Sequence, residues 1–267
     1  MSSTKRVETI TIGDELLLGI RENAHLTYLG TQLAHHGLEP AANLVIRDQP
    51  EDIQLFFSES WKRSDLVITT GGLGPTTDDI TRESVAQALG EELVFDPSLE
   101  IALKERFSQL GKPMPEINLR QCYRPGNAEV LENPFGTAPG LFLKKDGKIL
   151  IMLPGPAREM HPMFEDIVVP RLQKEGVFPE IDCYLQIRTA GIGESALAEK
   201  TQHLFEGKEA LVVGYCAHAG MVDLRLSSLD GTILTEQDLQ NLADACRDAI
   251  GDDFVCLGDR TLAEVIF

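Results

Sequence analysis

The twelve residues Thr70-Gly-Gly-Leu-Gly-Pro-Thr-Thr-Asp-Asp-Ile-Thr81 combine three glycines with two adjacent acids. They follow an apolar run, 65–70, that reads as a buried strand. They lead into an amphipathic pattern from Ile80 to Leu89 that reads as a helix. Glycines at a strand-to-helix turn let backbone N–H groups approach an anion closely, and the positive end of the helix favours its charge. Asp78 and Asp79 would repel a bare phosphate, but they fit if a divalent cation lies between acid and phosphate. The chemistry expected is metal-assisted handling of a phosphate, with Thr70, Gly71, Gly72, Gly74 and Thr76 around it. A turn whose aspartates only cap a helix is the plainer alternative. No Walker Gly-Lys follows, and Gly72-Leu-Gly74 lacks the third Rossmann glycine.

The remaining composition narrows the partners. The chain has 267 residues and a formal net charge of −18, with acids spread throughout and no basic block. Such a field repels nucleic acid and anionic membrane, so neither is an expected partner. It also repels a small anionic substrate unless a bound cation screens the site. The segment Met1–Val7 lacks the apolar core of a signal peptide, and no segment is long and apolar enough to span a bilayer. The five cysteines form no Cys-x-x-Cys pair and leave an odd one, so reduced thiols and a cytoplasmic location are expected.

Strands and helices must alternate to position these residues. Strands are expected at 7–12, 41–46 and 65–70. Helices are expected from a cap at Asn23 to a stop at Gly37, over Ile53–Trp61, over 80–89, and from Asp96-Pro97 to Gly111. This order implies a parallel sheet with helices on both faces and ligands beyond the carboxyl ends of the strands. Three such ends carry candidate groups: Gly13-Asp14-Glu15, Arg47-Asp48 and the glycine turn. Asp48 has the alternative role of closing an Asx turn, and Glu15 that of facing a helix dipole. Residues 112–140 read as long loops. A hairpin, 141–144 with 148–153, turns at Asp146-Gly147, and Pro154-Gly-Pro156 opens a helix.

A second unit is expected near 180–258. Its order is strand 181–189, helix 194–205, strands 211–216 and 221–227, helix 236–250 and strand 254–257, a small α+β split-βαβ arrangement. Thr235–Asp238 has the form of a capping box. Gly191-Ile-Gly193-Glu-Ser-Ala196 formally fits a dinucleotide fingerprint, but the unit is too short for a Rossmann half. Residues 180–258 hold 14 acids against 5 Lys/Arg, a net −9 that opposes RNA.

With these motifs placed, the chain resembles the N-terminal part of the CinA family (competence/damage-inducible protein A). Its first domain is similar to the molybdenum-cofactor-biosynthesis domain of MogA and MoaB proteins. The matching blocks are Gly13–Gly19, Asn23-Ala24, Thr70–Thr76 with Asp78–Thr81, Asn118–Gln121, Asn133–Gly140, Leu153–Pro156 with Glu159-Met160, Gly191–Ser195 and Val222–Leu226. Asp14 stands where family members often have threonine, and in this it resembles molybdopterin-handling relatives. Arg21-Glu22 and Ala157-Arg158 also depart from the usual pairs.

The resemblance implies a three-layer, mostly parallel sheet of the molybdopterin-binding type over 5–176, a KH-like α+β domain over 180–258, and homodimers. It implies an ADP-ribose pyrophosphatase-type activity on a small nucleotide, dependent on a divalent ion of Mg, Mn or Co type, with a monovalent cation as a further candidate. By the match, Asp79 is the first metal ligand, Asp48 holds metal or orients water, and Asp78 supports either role. Gly13, Asp14, Glu15 and the glycine turn belong to the nucleotide site. Gly136, Thr137, Pro139 and Gly140 match a second binding loop, and Arg120 is a candidate phosphate partner. The alternatives are a molybdopterin-binding or adenylyl-handling protein and a non-catalytic nucleotide-binding module. Longer relatives continue into a nicotinamide-mononucleotide deamidase domain. Residues 259–267 read as its truncated start, so no deamidase activity is expected of this polypeptide.

Overall fold

The computed structural model describes residues 5–209, 211–228, 234–258, 260 and 264–265. It divides into two compact units. One comprises Lys5–Gly30 and Pro40–Lys174; the other comprises Thr31–Glu39 and the described residues from Glu175 on.

In chain order the first part holds β1 (Val7–Ile12), α1 (Asp14–Leu17), α2 (Ala24–His35), β2 (Pro40–Ile46), α3 (Pro50–Arg63), β3 (Leu66–Thr70), α4 (Thr81–Leu89), β4 (Leu93–Phe95) and α5 (Pro97–Gln109). A 3-10 segment, Glu116–Cys122, leads to β5 (Tyr123–Pro125), β6 (Glu129–Leu131), β7 (Gly140–Lys145), β8 (Lys148–Leu153), α6 (Ala157–Met163) and α7 (Val169–Lys174). Six strands form one sheet in the order β2-β1-β3-β8-β7-β6. The pairings β2-β1, β1-β3 and β3-β8 are parallel, and the hairpin β8-β7 and β6 are antiparallel.

β1 and β3 are buried on every residue, polar Glu8, Thr9, Thr11, Thr69 and Thr70 included, as central strands covered on both faces are. On one face Ile10, Ile12 and Val67 meet Ile53 and Phe57 of α3 and Val85 of α4, together with Leu141 and Leu143. Phe142, between those two leucines, points the other way and lies 4.6 Å beneath the Arg171 guanidinium of α7. Helices therefore cover both faces. Asn23 caps α2 through Leu26 N–H, and Asp96 caps α5 through Ser98 N–H.

The stretch 112–140 is more ordered than its proline and glycine content predicts. It folds into the 3-10 segment, β5 paired antiparallel with β4, and β6 on the sheet edge. Three-residue strands are too short to display an alternation.

In the second unit β9 (Tyr184–Ala190), α8 (Glu194–Thr201), β10 (Leu211–His218), β11 (Met221–Ser228), α9 (Glu236–Ile250) and β12 (Phe254–Leu257) build a four-stranded antiparallel sheet in the order β10-β11-β9-β12. The capping box forms, with Thr235 and Asp238 bonded reciprocally. β9 begins three residues later than predicted because Asp182 turns back to accept from Tyr184 N–H. The helix expected over 194–205 ends at Thr201 and continues as a 3-10 turn, Gln202–Leu204. The end of α2 also belongs here: Cys183 N–H donates to the His35 carbonyl at 2.7 Å, and the His35 ring meets Asp182 at 2.8 Å. Of the segment 259–267, only residues 260, 264 and 265 are described.

Glu8 is fully buried on β1 between the guanidinium groups of Arg63 and Arg6, at 2.7 and 2.8 Å. Burial alone would raise its carboxyl, but the bonded arginines outweigh this and hold it down at about 2. Its stabilising effect is therefore present above the ordinary carboxylate value and lost as pH falls through the folded one. Glu8→Gln should destabilise the first unit by about 1.5–3 kcal/mol near neutral pH and by progressively less as pH falls toward 2. Denaturant titrations at both ends of that range check this, and equal losses at both would contradict it.

Candidate functional site

β1, β2 and β3 end level, with Ile12 beside Ile46 and Thr11 beside Thr70. Just beyond, Gly13 N–H donates to the Ile46 carbonyl at 3.1 Å. The two acidic loops then lock together: Asp14 N–H donates to Asp48 Oδ2 at 3.0 Å, and Asp48 N–H donates to Asp14 Oδ1 at 3.3 Å. Burial raises the Asp48 carboxyl. The Asp14 N–H opposes that shift, and the charges of Asp14, Glu15 and Asp78 add to it. Three loops thus bring four acids to one edge.

The glycine turn is fixed by contacts that exclude side chains. Gly71 has φ +99°, and a Cβ there would overlap the Ile12 carbonyl. Its N–H donates to the Leu153 carbonyl at 3.0 Å, so Gly71 ties β1, β3 and β8 together and does not present its N–H to a ligand. Among the described residues no hydrogen bond engages the N–H groups of Gly72, Leu73 or Gly74, which leaves these three for an anion. Further along, Asp79 doubles back: Thr76 donates to Asp79 Oδ2 through its N–H at 2.9 Å and its hydroxyl at 2.5 Å. The Asp79 carboxylate lies against Gly74, where a Cβ would overlap it.

Arg120 holds this turn from outside, donating to the carbonyls of Thr76 at 2.5 Å and Asp79 at 3.1 Å and pairing with Glu83 at 3.2 Å. Gly71, Thr76 and Arg120 were expected to touch phosphate; within the fold each makes a bracing contact. Asp78 is exposed at the tip, and its charge reaches Asp48.

The second loop is built around Asn133. Its Oδ1 accepts from the N–H groups of Phe135 and Gly136, and its Nδ2 donates to the Ala138 carbonyl and to Glu159 Oε2, both at 2.8 Å. Glu159 is therefore a buried partner of Asn133. Gly136 sits directly against that carboxylate. Gly140 opens β7 in a packing role: a Cβ there would press on Met152 O and Met163 Cε. Gly155, in the turn before α6, lies beside Gly71, so the Pro154–Pro156 turn and the glycine turn are adjacent.

Two residues of this region gave no signal in the sequence. His25 on α2 meets the Thr70 hydroxyl at 2.8 Å through Nδ1. Burial lowers its pKa; a hydrogen bond to the Gly155 backbone opposes this, the nearby His161 adds to it, and Glu15 opposes it. A neutral imidazole thus joins the glycine turn to the proline turn, next to one of the acids. Arg82 of α4 is 1% exposed, and its Nε and Nη2 have no hydrogen-bond partner. Burial lowers its pKa, with Glu83 and Asp79 supplying the opposing charge.

Among the described residues no three His, Cys, Asp or Glu side chains form a group able to hold a metal ion by themselves. A Mg-type ion needs less, since it is commonly held by one or two carboxylates, with water and substrate phosphates completing its shell. Asp48 and Asp79 each use Oδ2 within the fold and keep Oδ1 without a hydrogen bond among the described residues, so carboxylate oxygens of the kind such an ion takes are present.

Since the folded His25 resists protonation, the unfolded chain binds its proton first, and stability is lost as pH falls through about 6.5. His25→Gln should make the melting temperature fall less steeply over that range. Thermal unfolding across a pH series measures it, and parallel slopes for variant and parent would contradict it.

Known proteins match both units. Residues 8–174 match the family described as a probable molybdopterin binding domain, and residues 186–255 match the KH domain of damage-inducible protein CinA. A CinA-like protein of Kosmotoga olearia is 37% identical over 98% of this chain, and a putative competence-damage inducible protein of Clostridium botulinum is 38% identical over 98%. The chain spans 63% and 64% of the length of these two relatives. A crystal structure of CinA from Thermoplasma acidophilum, 32% identical, covers 64% of this chain and 98% of its own, with a TM-score of 0.58. The fold, the two consecutive domain matches and these relatives agree: the chain belongs to the CinA family.

Proposed function

We propose that the first unit is a metal-dependent nucleotide pyrophosphatase that hydrolyses ADP-ribose-like substrates to AMP and ribose 5-phosphate. The observation that carries this reading is the junction of the locked Asp14–Asp48 loops with a glycine turn whose Gly72–Gly74 N–H groups point to no partner in the fold. The acids suit a cation and the N–H groups suit phosphate oxygens; an anhydride neutralised by a cation requires both.

Asp79, through the carboxylate oxygen that Thr76 leaves unbonded, would hold a divalent ion with Asp78 nearby. That ion supplies charge neutralisation on the phosphoryl oxygens. Asp48 either shares the ion or orients water. Its raised pKa favours the second role, because a more basic carboxylate accepts a proton more readily. In that step the water oxygen bonds to one phosphorus, the bond from that phosphorus to the bridging oxygen breaks, and the water proton passes to Asp48. His25 keeps the two turns in register. Homodimer formation belongs to the same proposal, and among the described residues no helix is long and apolar enough to cross a membrane.

A second reading, a molybdopterin-binding or adenylyl-handling protein, is favoured by the match of residues 8–174 to the molybdopterin binding family. Chromatographic analysis of products after incubation with ADP-ribose and a panel of divalent ions separates the two. The first reading expects AMP only with a metal present, and at least about 100-fold less of it from Asp48→Asn. No AMP from folded protein with any metal would reject the pyrophosphatase and favour pterin binding.

A further inference from the structure

β2 delivers two charged residues to the carboxyl edge of the sheet, Arg47 and Asp48, and water activation needs only the second. Arg47 lies one residue past Ile46, whose carbonyl accepts from Gly13 N–H. Its Nε donates to Asp52 Oδ2 at 2.6 Å, in the first turn of α3, which begins at the same edge. Among the described residues no hydrogen bond engages its two terminal amino groups, and the side chain is 60% exposed. An ion pair this exposed adds little to stability. Its effect is to hold a guanidinium in one place with the open side free.

Two other arginines near the glycine turn are committed within the fold. Arg120 is bonded to the carbonyls of Thr76 and Asp79, and Arg82 is 1% exposed. Arg47 stands on the opposite flank of the acids. β1 lies between β2 and β3, and neighbouring strands are about 4.8 Å apart, so the ends of β2 and β3 are about 10 Å apart. The locked Asp14–Asp48 pair occupies the interval, and after the charge of Asp52 that of Asp14 acts on Arg47. Across the edge the order is therefore the unbonded N–H groups of Gly72–Gly74, then acids, then an open guanidinium. A single phosphate at the glycine turn uses only the first of these. A diphosphate carries a second anionic group, which extends past the acids and their cation toward the guanidinium. The planar fork of an arginine matches phosphate oxygens two at a time.

We propose that Arg47 binds the second phosphate of a diphosphate whose first phosphate lies at the Gly72–Gly74 N–H groups, and so sets a preference for diphosphates over monophosphates. This role rests on the nucleotide reading of that turn. The two are separable by titration. AMP engages the turn alone, whereas ADP engages the turn and Arg47.

Both nucleotides are titrated calorimetrically, with magnesium present, into the parent protein, Arg47→Met and Lys62→Met. Lys62 is exposed near the other end of α3, so its loss removes the same charge about 18 Å along the helix from the edge. Circular dichroism verifies that both variants are folded. ADP affinity should fall at least about tenfold in Arg47→Met, with AMP unchanged there and both nucleotides unchanged in Lys62→Met. Unchanged ADP binding in folded Arg47→Met, or equal losses of ADP and AMP, overturns the role of Arg47 alone. So does an equal loss of ADP affinity in Lys62→Met, or parent protein that binds ADP no more tightly than AMP. Parent protein that binds neither nucleotide rejects the nucleotide reading itself, and the role of Arg47 falls with it.

Discussion

At Gly71 the backbone of one turn passes so close to the Ile12 carbonyl that no side chain fits between them, while its N–H is bonded to Leu153. That contact draws the ends of β1, β3 and β8 to a single point. A larger residue would have to displace a main-chain carbonyl and adopt a left-handed conformation as well. The consequences spread from there. β1 ends where the Asp14 loop begins, β3 ends where the glycine turn begins, and β8 ends where the Pro154–Pro156 turn begins. Bringing these three ends together brings together an acidic loop, the glycine turn and the helix that carries Glu159.

The rest of the site keeps that junction rigid with polar groups, which leaves few of them for a ligand. Thr76 and Arg120 are occupied by the turn, and Asn133 is occupied on all sides by its own loop and Glu159. What remains without a hydrogen-bond partner among the described residues is the short run of N–H groups from Gly72 to Gly74, on the same edge as Asp14, Glu15, Asp48 and Asp78. The charges of Asp14, Glu15 and Asp78 act together on Asp48, and the overall charge of −18 deepens the repulsion. The raised Asp48 is the local sign of this: an acid made more basic by burial and by its acidic neighbours, beside a surface suited to phosphate.

Much of this was readable from residue types. The run Thr70–Thr81 carries its own turn and helix signals, and the acids at 14, 15 and 48 follow recognisable strands. Thr235–Asp238 forms its capping box because that motif is entirely local. Other features were hidden because they depend on partners far away in sequence. A histidine at position 25 of a helix says nothing until Thr70 and Gly155 arrive beside it. Arg82 likewise acquires its surroundings from distant residues, among them Arg120 and Cys122 of the 3-10 segment. The loop pattern of 112–140 concealed β5 and β6, whose pairing is set by β4 and β7 and not by their own three residues. The roles of Thr76 and Arg120 illustrate a further limit. A hydroxyl or guanidinium near a glycine turn is as useful for bracing the turn as for touching a phosphate, and residue type does not distinguish the two.

The central claim is that this edge accepts a phosphate anhydride only with a cation present. Calorimetric titration of ADP into the protein, at constant ionic strength, with either magnesium or excess chelator, tests it most directly. Saturable binding with magnesium and none with chelator is the result predicted. Equal affinity under both conditions would contradict the account and leave the acids of β1 and β2 without a part in ligand binding.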